Sequence, residues 1–131
     1  MAETVKSLLE SAHASVPRVD HAEARRMLAE DKALLVDVRD APERAEHGRL
    51  KGACHVSRGM LEFRADETTP YYNPEFRKDR PIILHCASGG RSALAGQRLQ
   101  QMGYQKVYNL GGFKDACEAG MERDDAADGV A

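Results

Sequence analysis

Short apolar runs alternate with helix-spaced segments along this chain, and that alternation restricts the architectures open to it. Runs at 33–36, 53–56, 81–85 and 106–110 are each strand-length and bounded by turn residues. Between them lie helical patterns. Val5, Leu8, Leu9 and Ala12 recur through 3–14, and Pro17 stops that segment. Asp20 is an N-cap with Glu23 three residues on, so a helix is expected over 21–30 with Ala24, Met27 and Leu28 on one face. Leu94, Ala95, Leu99 and Met102 stripe 92–102, which Gly103 closes. A last short helix is expected over 113–119. No two-residue hairpin signal joins the strands, so the connections are crossovers. The expectation is an α/β fold: a small, mostly parallel central sheet with helices on both faces, plus an extra N-terminal helix.

The remaining segments are less regular. A turn at 41–42 precedes a helical turn over 43–47. Residues 57–80 are polar and punctuated by Gly59, Pro70 and Pro74, and read as a long loop with one helical turn. The whole, 1–131, reads as one domain: 1–18 an N-terminal helix and linker, 19–120 the core, 121–131 a frayed tail rich in Asp and Ala.

The chemistry concentrates at 86–91, Cys-Ala-Ser-Gly-Gly-Arg. This segment closes the apolar run Ile82, Ile83, Leu84 and opens the helical pattern from Ser92. In parallel α/β sheets, ligands bind outside the carboxyl ends of the strands, where Asp37 and Cys86 both lie. Gly89 and Gly90 let the backbone curl so that successive N–H groups point inward, toward an anion. The loop backbone of Ala87, Ser88, Gly89, Gly90 and Arg91 is therefore expected to hold a thiolate, or a negative group attached to it, on Cys86. Arg91 either points into that pocket or pairs with an acid to brace the loop. Ser92 is expected as the helix N-cap. For Cys54 and Cys117 the plain reading is a small buried hydrophobe.

Composition narrows the partners. A formal net charge of −2 and the lack of a basic run offer nucleic acid no broad attraction, and the chain has no Trp for base stacking. No stretch approaches the ~20 apolar residues of a membrane span, and the N-terminus lacks the pattern of a secretory signal. Three cysteines cannot all pair within the chain, so a cytoplasmic location is expected. His13, His21, His47 and His55 show no ligand spacing with the cysteines, so a metal site is not expected.

These residues resemble a known family. PIILHCASGGRSALAGQRLQQMGYQKVYNLGGF is similar to the active-site half of rhodanese-like sulfurtransferases, and LLVDVRDAPERAEHGRLKGACHV to that family's first signature. The resemblance covers roughly 19–120 and implies that Cys86 accepts a sulfane sulfur as a persulfide and passes it on, with no metal or organic cofactor. It implies a small sulfur donor such as thiosulfate, and a thiol or cyanide-like acceptor; a protein donor or acceptor is a further class. It also implies that Asp37 and Arg39 form an ion pair bracing the scaffold. Arg58, on the long loop, is a candidate for holding a thiosulfate or sulfonate group.

Two departures stand out: Ala116 occupies a place where relatives commonly carry Trp, and Arg49 to Lys51 replace a His-Ile-Pro stretch between turn glycines. Two rival readings remain open. One is a persulfide carrier or interaction module without turnover. The other is a cysteine-dependent phosphatase or arsenate reductase, in which His-Cys is followed by five residues and Arg. Here only four residues separate Cys86 from Arg91, a smaller loop suited to one sulfur atom. His85 is expected as a strand residue satisfied by local hydrogen bonds rather than as a general acid.

Overall fold

The computed structural model describes residues 2–124. Four parallel strands form the central sheet in the order β3 (Cys54–His55), β1 (Leu34–Asp37), β4 (Ile82–Cys86), β5 (Val107–Gly112). The apolar runs thus become strands joined by crossovers. α1 (Val5–Ser15), α4 (Leu61–Ala65) and α5 (Gly90–Gln101) supply one face, while α2 (His21–Glu30) and α6 (Phe113–Glu118) supply the other. α3 (Ala41–His47) starts two residues before the expected helical turn because Asp40 and Pro42 suit a first turn. Among the described residues no helix is long and apolar enough to cross a membrane.

Strand alternation sorts the core into two halves. Ile82, Leu84 and Cys86 face α5, packed with Val36, Val56 and Leu99, whereas Ile83 joins Leu35, Leu110 and Phe113 on the opposite face. The sulfur of Cys86 and the ring of His85 therefore leave the sheet on opposite sides. β5 carries an irregularity here: Leu84 pairs with Asn109, but His85 pairs with Gly111 and Cys86 with Gly112. The extra residue, Leu110, shifts the end of β5 and places Gly112 directly beside the cysteine.

The 57–80 segment is a cover rather than a free loop. A 3-10 turn (Arg58–Met60) runs into α4, and Leu61, Ala65 and Phe76 are all buried against the α5 side of the sheet. The Tyr104 hydroxyl donates to the Ala65 carbonyl at 2.6 Å and the Tyr72 hydroxyl to the Phe76 carbonyl at 2.6 Å, tying the cover down.

Residues 121–124, expected in a frayed tail, are ordered. Met121 is 7% exposed and packs in the Phe113 cluster, and β6 (Arg123–Asp124) pairs antiparallel with β2 (Arg49–Leu50). The physical reason is apolar burial: Met121 fills space beside Ala116, whose carbonyl accepts its N–H at 3.0 Å. Residues 125–131 of that expected tail lie outside the described residues. Met121→Ala is expected to destabilise the protein by about 2 kcal/mol, the low end for a buried methionine. Urea unfolding checks this; an unchanged midpoint contradicts a structural role for the segment.

Candidate active site

Cys86 is fully buried at the carboxyl tip of β4, with Ala87 and Ser88 exposed above it. The Gly89 N–H donates to its Sγ at 3.0 Å, and Ser92 Oγ lies 3.5 Å from the same sulfur. Burial pushes the thiol pKa up, but the Ser92 hydroxyl and the backbone N–H groups of Ser92, Ser88 and Gly89 outweigh it, leaving the thiol below its ordinary value. Of the five loop residues expected to form the cradle, Ser88 and Gly89 supply amides to Sγ, and Ser92 joins them.

Two glycines make this geometry possible. Gly89 sits at φ +102°, a left-handed conformation that turns its N–H back toward the sulfur and starts α5 at Gly90. A Cβ on Gly112 would stand 2.6 Å from the Ala87 carbonyl oxygen, so only glycine lets β5 approach the loop this closely.

Ser92 is not the N-cap. Gly89 holds that position, and Ser92 lies inside the first turn of α5. Its hydroxyl instead finds one tertiary partner, Asn109 Oδ1 at 2.7 Å, and one local one, the Gly89 carbonyl at 3.1 Å. Arg91 takes the second of its two expected roles. Its Nη1 and Nη2 donate to Glu43 Oε1 and Oε2 at 2.7 and 2.8 Å, a bidentate pair between α5 and α3. Arg91 holds the Glu43 carboxyl down to about 2.

Behind the loop, Asp37 and Arg39 pair as expected. Arg39 donates Nε to Asp37 Oδ1 at 3.0 Å and Nη2 to Oδ2 at 2.8 Å, with both side chains 1% exposed or less. Arg44 Nε lies 3.1 Å from the same carboxylate, and the Arg39 guanidinium stacks over Phe113 at 4.3 Å. Burial pushes the Asp37 carboxyl up, and its bonds from Arg39 more than reverse that. One buried anion is held by two cations, and Arg39 Nη2 also donates to the Gly48 carbonyl at 2.8 Å, so the cluster ties the end of β1 to α3 and to Gly48 just after it.

His85 is a strand residue as expected, but only one of its ring nitrogens has a local hydrogen bond. Its Nδ1 lies 3.4 Å from the Cys86 oxygen, while Nε2 is buried without a hydrogen-bond partner, 3.8 Å from Asp37 Oδ2. Stacking on Phe113 holds the ring, and burial pushes its pKa down to about 4. Arg58 Nη1 pairs with Glu62 Oε1 at 2.9 Å, one helical turn on, in a part-exposed ion pair on the cover. Cys54 has its thiol pushed up by burial, and Asn73 Nδ2 lies 3.6 Å from its sulfur. Among the described residues no group of three or more His, Cys, Asp or Glu is placed to hold a metal ion.

Asn109 and Glu43 are the site residues that sequence reasoning missed. Asn109 is the polar interruption in an otherwise apolar strand, a signal that a buried amide has partners to satisfy. Glu43 carried no local mark, since its partner lies 48 residues away. Beside the loop runs a cleft of about 640 Å³ lined by Arg39, Glu43, Ala87, Phe113, Lys114 and Cys117 among others.

Comparison with known proteins places these features in a group. The rhodanese-like domain family matches residues 20–119. The chain is 38% identical over 84 residues to the uncharacterized protein YqhL of Bacillus subtilis, covering 63% of this chain and 60% of that protein. It is 31% identical over 101 residues to the thiosulfate sulfurtransferase GlpE of Actinobacillus succinogenes, covering 76% of this chain and 83% of the relative. A solved structure from Rhodopseudomonas palustris, described as a protein of unknown function and possible tyrosine phosphatase, is 34% identical. It superimposes with a TM-score of 0.85 over 95% of this chain and 96% of its own.

The buried neutral His85 sets an acid limit. An unfolded chain protonates this histidine below about pH 6.5, whereas the folded chain resists until about pH 4, so stability falls as pH drops between those values. Loss from Asp37 and Glu43, whose carboxyls are held down, follows at lower pH. Unfolding midpoints measured from pH 7 to 4 are expected to decline in the wild type and to flatten in His85→Gln. An equal slope in both proteins contradicts the assignment.

Proposed function

This chain belongs to the rhodanese-like family, and on that footing we propose that it is a sulfurtransferase working through a persulfide on Cys86. The observation carrying this reading is the set of donors from Ser88, Gly89 and Ser92 converging on one buried sulfur. A thiolate there is a ready nucleophile, and the same loop suits the charge of a persulfide. Similarity to a thiosulfate sulfurtransferase supports thiosulfate as a donor.

The steps balance without an added oxidant or reductant. The Cys86 thiolate attacks the outer sulfur of thiosulfate, the S–S bond of the donor breaks, and sulfite leaves with the bonding pair. Cys86 then carries an anionic persulfide. A cyanide-like or thiolate acceptor attacks the outer sulfur, and the Cys86 thiolate departs with the electron pair. Arg91 takes no direct part, because both terminal nitrogens are committed to Glu43. It braces the loop against α3 so that the amides stay aimed inward. The donor's approach lies over Ala87 and Ser88, beside the cleft.

A phosphatase reading draws on the description of the Rhodopseudomonas structure. Two features of the loop weigh against it here. Four residues rather than five separate Cys86 from Arg91, and that arginine is turned to a carboxylate instead of into the cradle. A carrier that loads sulfur without turning over shares the same loop chemistry and differs only in kinetics.

With thiosulfate and cyanide, the wild type is expected to release thiocyanate and sulfite over many turnovers. Cys86→Ser is expected to fall to the uncatalysed background while keeping its unfolding midpoint. Turnover retained in that variant ends the proposal. Loading without turnover in the wild type moves the reading to a carrier, and hydrolysis of an aryl phosphate moves it to a phosphatase.

A further inference from the structure

Asn109 is fully buried and takes no part in the steps above, yet its amide meets the hydroxyl that faces the sulfur. Counting hydrogens defines what that contact does. The Gly111 N–H points at one end of the amide at 3.0 Å, and a backbone N–H can only donate, so that end is the oxygen. The other end, Nδ2, donates to the Gly89 carbonyl at 3.2 Å. Ser92 Oγ lies 2.7 Å from Oδ1, and its single hydrogen is the only one available between these two oxygens. The same hydrogen is also the one Ser92 could offer to Cys86 Sγ at 3.5 Å. The Gly89 carbonyl, at 3.1 Å, is a third acceptor within reach, and Asn109, at the shortest distance, competes with the sulfur for the hydrogen.

The competition changes with the state of the sulfur. In the thiol, Sγ is uncharged. In the persulfide, the charge sits on the outer sulfur and Sγ is again close to neutral. Sγ bears charge only as the thiolate, which is the nucleophile of the first half-reaction and the leaving group of the second. A hydrogen bond to a charged acceptor is roughly twice as strong as one to a neutral amide. Rotation about the Ser92 Cβ–Oγ bond moves the hydrogen from one acceptor to the other.

We propose that Asn109 is a positioning residue whose amide oxygen holds the Ser92 hydroxyl hydrogen while Cys86 Sγ is uncharged and releases it when that sulfur takes up charge. The persulfide half of this statement rests on the sulfurtransferase reading; the thiol and thiolate half rests on the geometry of Cys86, Ser92 and Asn109. The hydrogen bond to Sγ then forms as charge arrives there: it favours the thiolate over the thiol before the first half-reaction, and in the second it favours the transition state over the persulfide, because Sγ leaves with the electron pair. Asn109 opposes the thiolate and Ser92 supports it: Oδ1 acts on the sulfur through the Ser92 hydroxyl, while Nδ2 braces the loop at the Gly89 carbonyl.

The charged groups near the sulfur are separate from this pair. Arg91 on α5 is held by Glu43 on α3, and Asp37, Arg39 and Arg44 lie with neutral His85 on the far face of the sheet. Arg18 Nε reaches the backbone carbonyl of Asn109 at 3.1 Å rather than its amide. Substitutions at 92 and 109 leave all of these in place.

The test is the pH dependence of Cys86 alkylation by iodoacetamide, read by mass on the Cys86 peptide. Ser92→Ala is expected to raise the midpoint by about one pH unit, the loss of one hydrogen bond to a charged group. Ser92→Thr, which keeps a hydroxyl, is expected to restore it. Asn109→Leu is expected to lower the midpoint by about half a unit. In the Ser92→Ala background, Asn109→Leu is expected to shift nothing further. Equal shifts with and without Ser92, or no shift from Asn109→Leu, overturn the proposal.

Should Asn109→Leu not fold, Asn109→Asp serves in its place. It keeps an acceptor but binds the hydroxyl hydrogen more firmly, so the midpoint rises, and rises less when Ser92 is absent. Equal rises overturn the proposal. The experiment needs no sulfur donor. A wild type that fails to transfer sulfur but shows the coupled midpoints refutes the sulfurtransferase reading alone, whereas normal transfer with uncoupled midpoints refutes this inference alone.

Discussion

A sulfur anion taken out of water at the end of a buried strand is costly unless hydrogen-bond donors replace the water it loses. At Cys86 they do: the amides of Ser88, Gly89 and Ser92 and the Ser92 hydroxyl outweigh burial and draw the thiol below its ordinary pKa. Much of the surrounding structure keeps those donors in place. The left-handed turn at Gly89 aims one of them, and the shifted register of β5 lets Gly112 lie against the loop. The Arg91–Glu43 pair ties the start of α5 to α3, and the Asp37–Arg39 pair fixes the neighbouring strand end.

The two faces of β4 divide the labour. Cys86 points to the α5 side, where helix N-terminal amides and the Ser92 hydroxyl meet it. His85 points to the other side, into a cluster of Asp37, two arginines and Phe113. Keeping this histidine neutral spares the cluster a third cation, at the cost of acid tolerance. The sheet thus separates a site built for an anion on sulfur from a permanently charged brace, and the strand backbone links the two rigidly.

Much of this was legible in the chain. Asp20 and Glu23 marked the start of α2, and its bounds came out as expected because the capping signal is local. The parallel sheet followed from strands without hairpin turns, and the cradle from glycines between a strand and a helix. What the chain concealed depends on contacts distant in sequence. Ser92 looked like a cap because its true partner, Asn109, lies 17 residues away on β5. Arg91 called for an acid without saying which, and Glu43 is 48 residues away. Phe76 and Met121 looked like isolated apolar residues in polar stretches, yet each fills a place in the core. Arg58 is the opposite case: Glu62 stands one helical turn on, and a helix through that segment would have revealed the pair.

The cradle exists, on this account, to make a negatively charged sulfur at Cys86 stable enough to form and reactive enough to move on. The most direct measurement is the mass of the intact protein after exposure to thiosulfate and removal of excess donor, followed by peptide mapping. The account predicts a gain of one sulfur atom, carried by the Cys86 peptide and discharged by cyanide. A protein whose mass is unchanged, or whose added sulfur maps to Cys54 or Cys117, contradicts it.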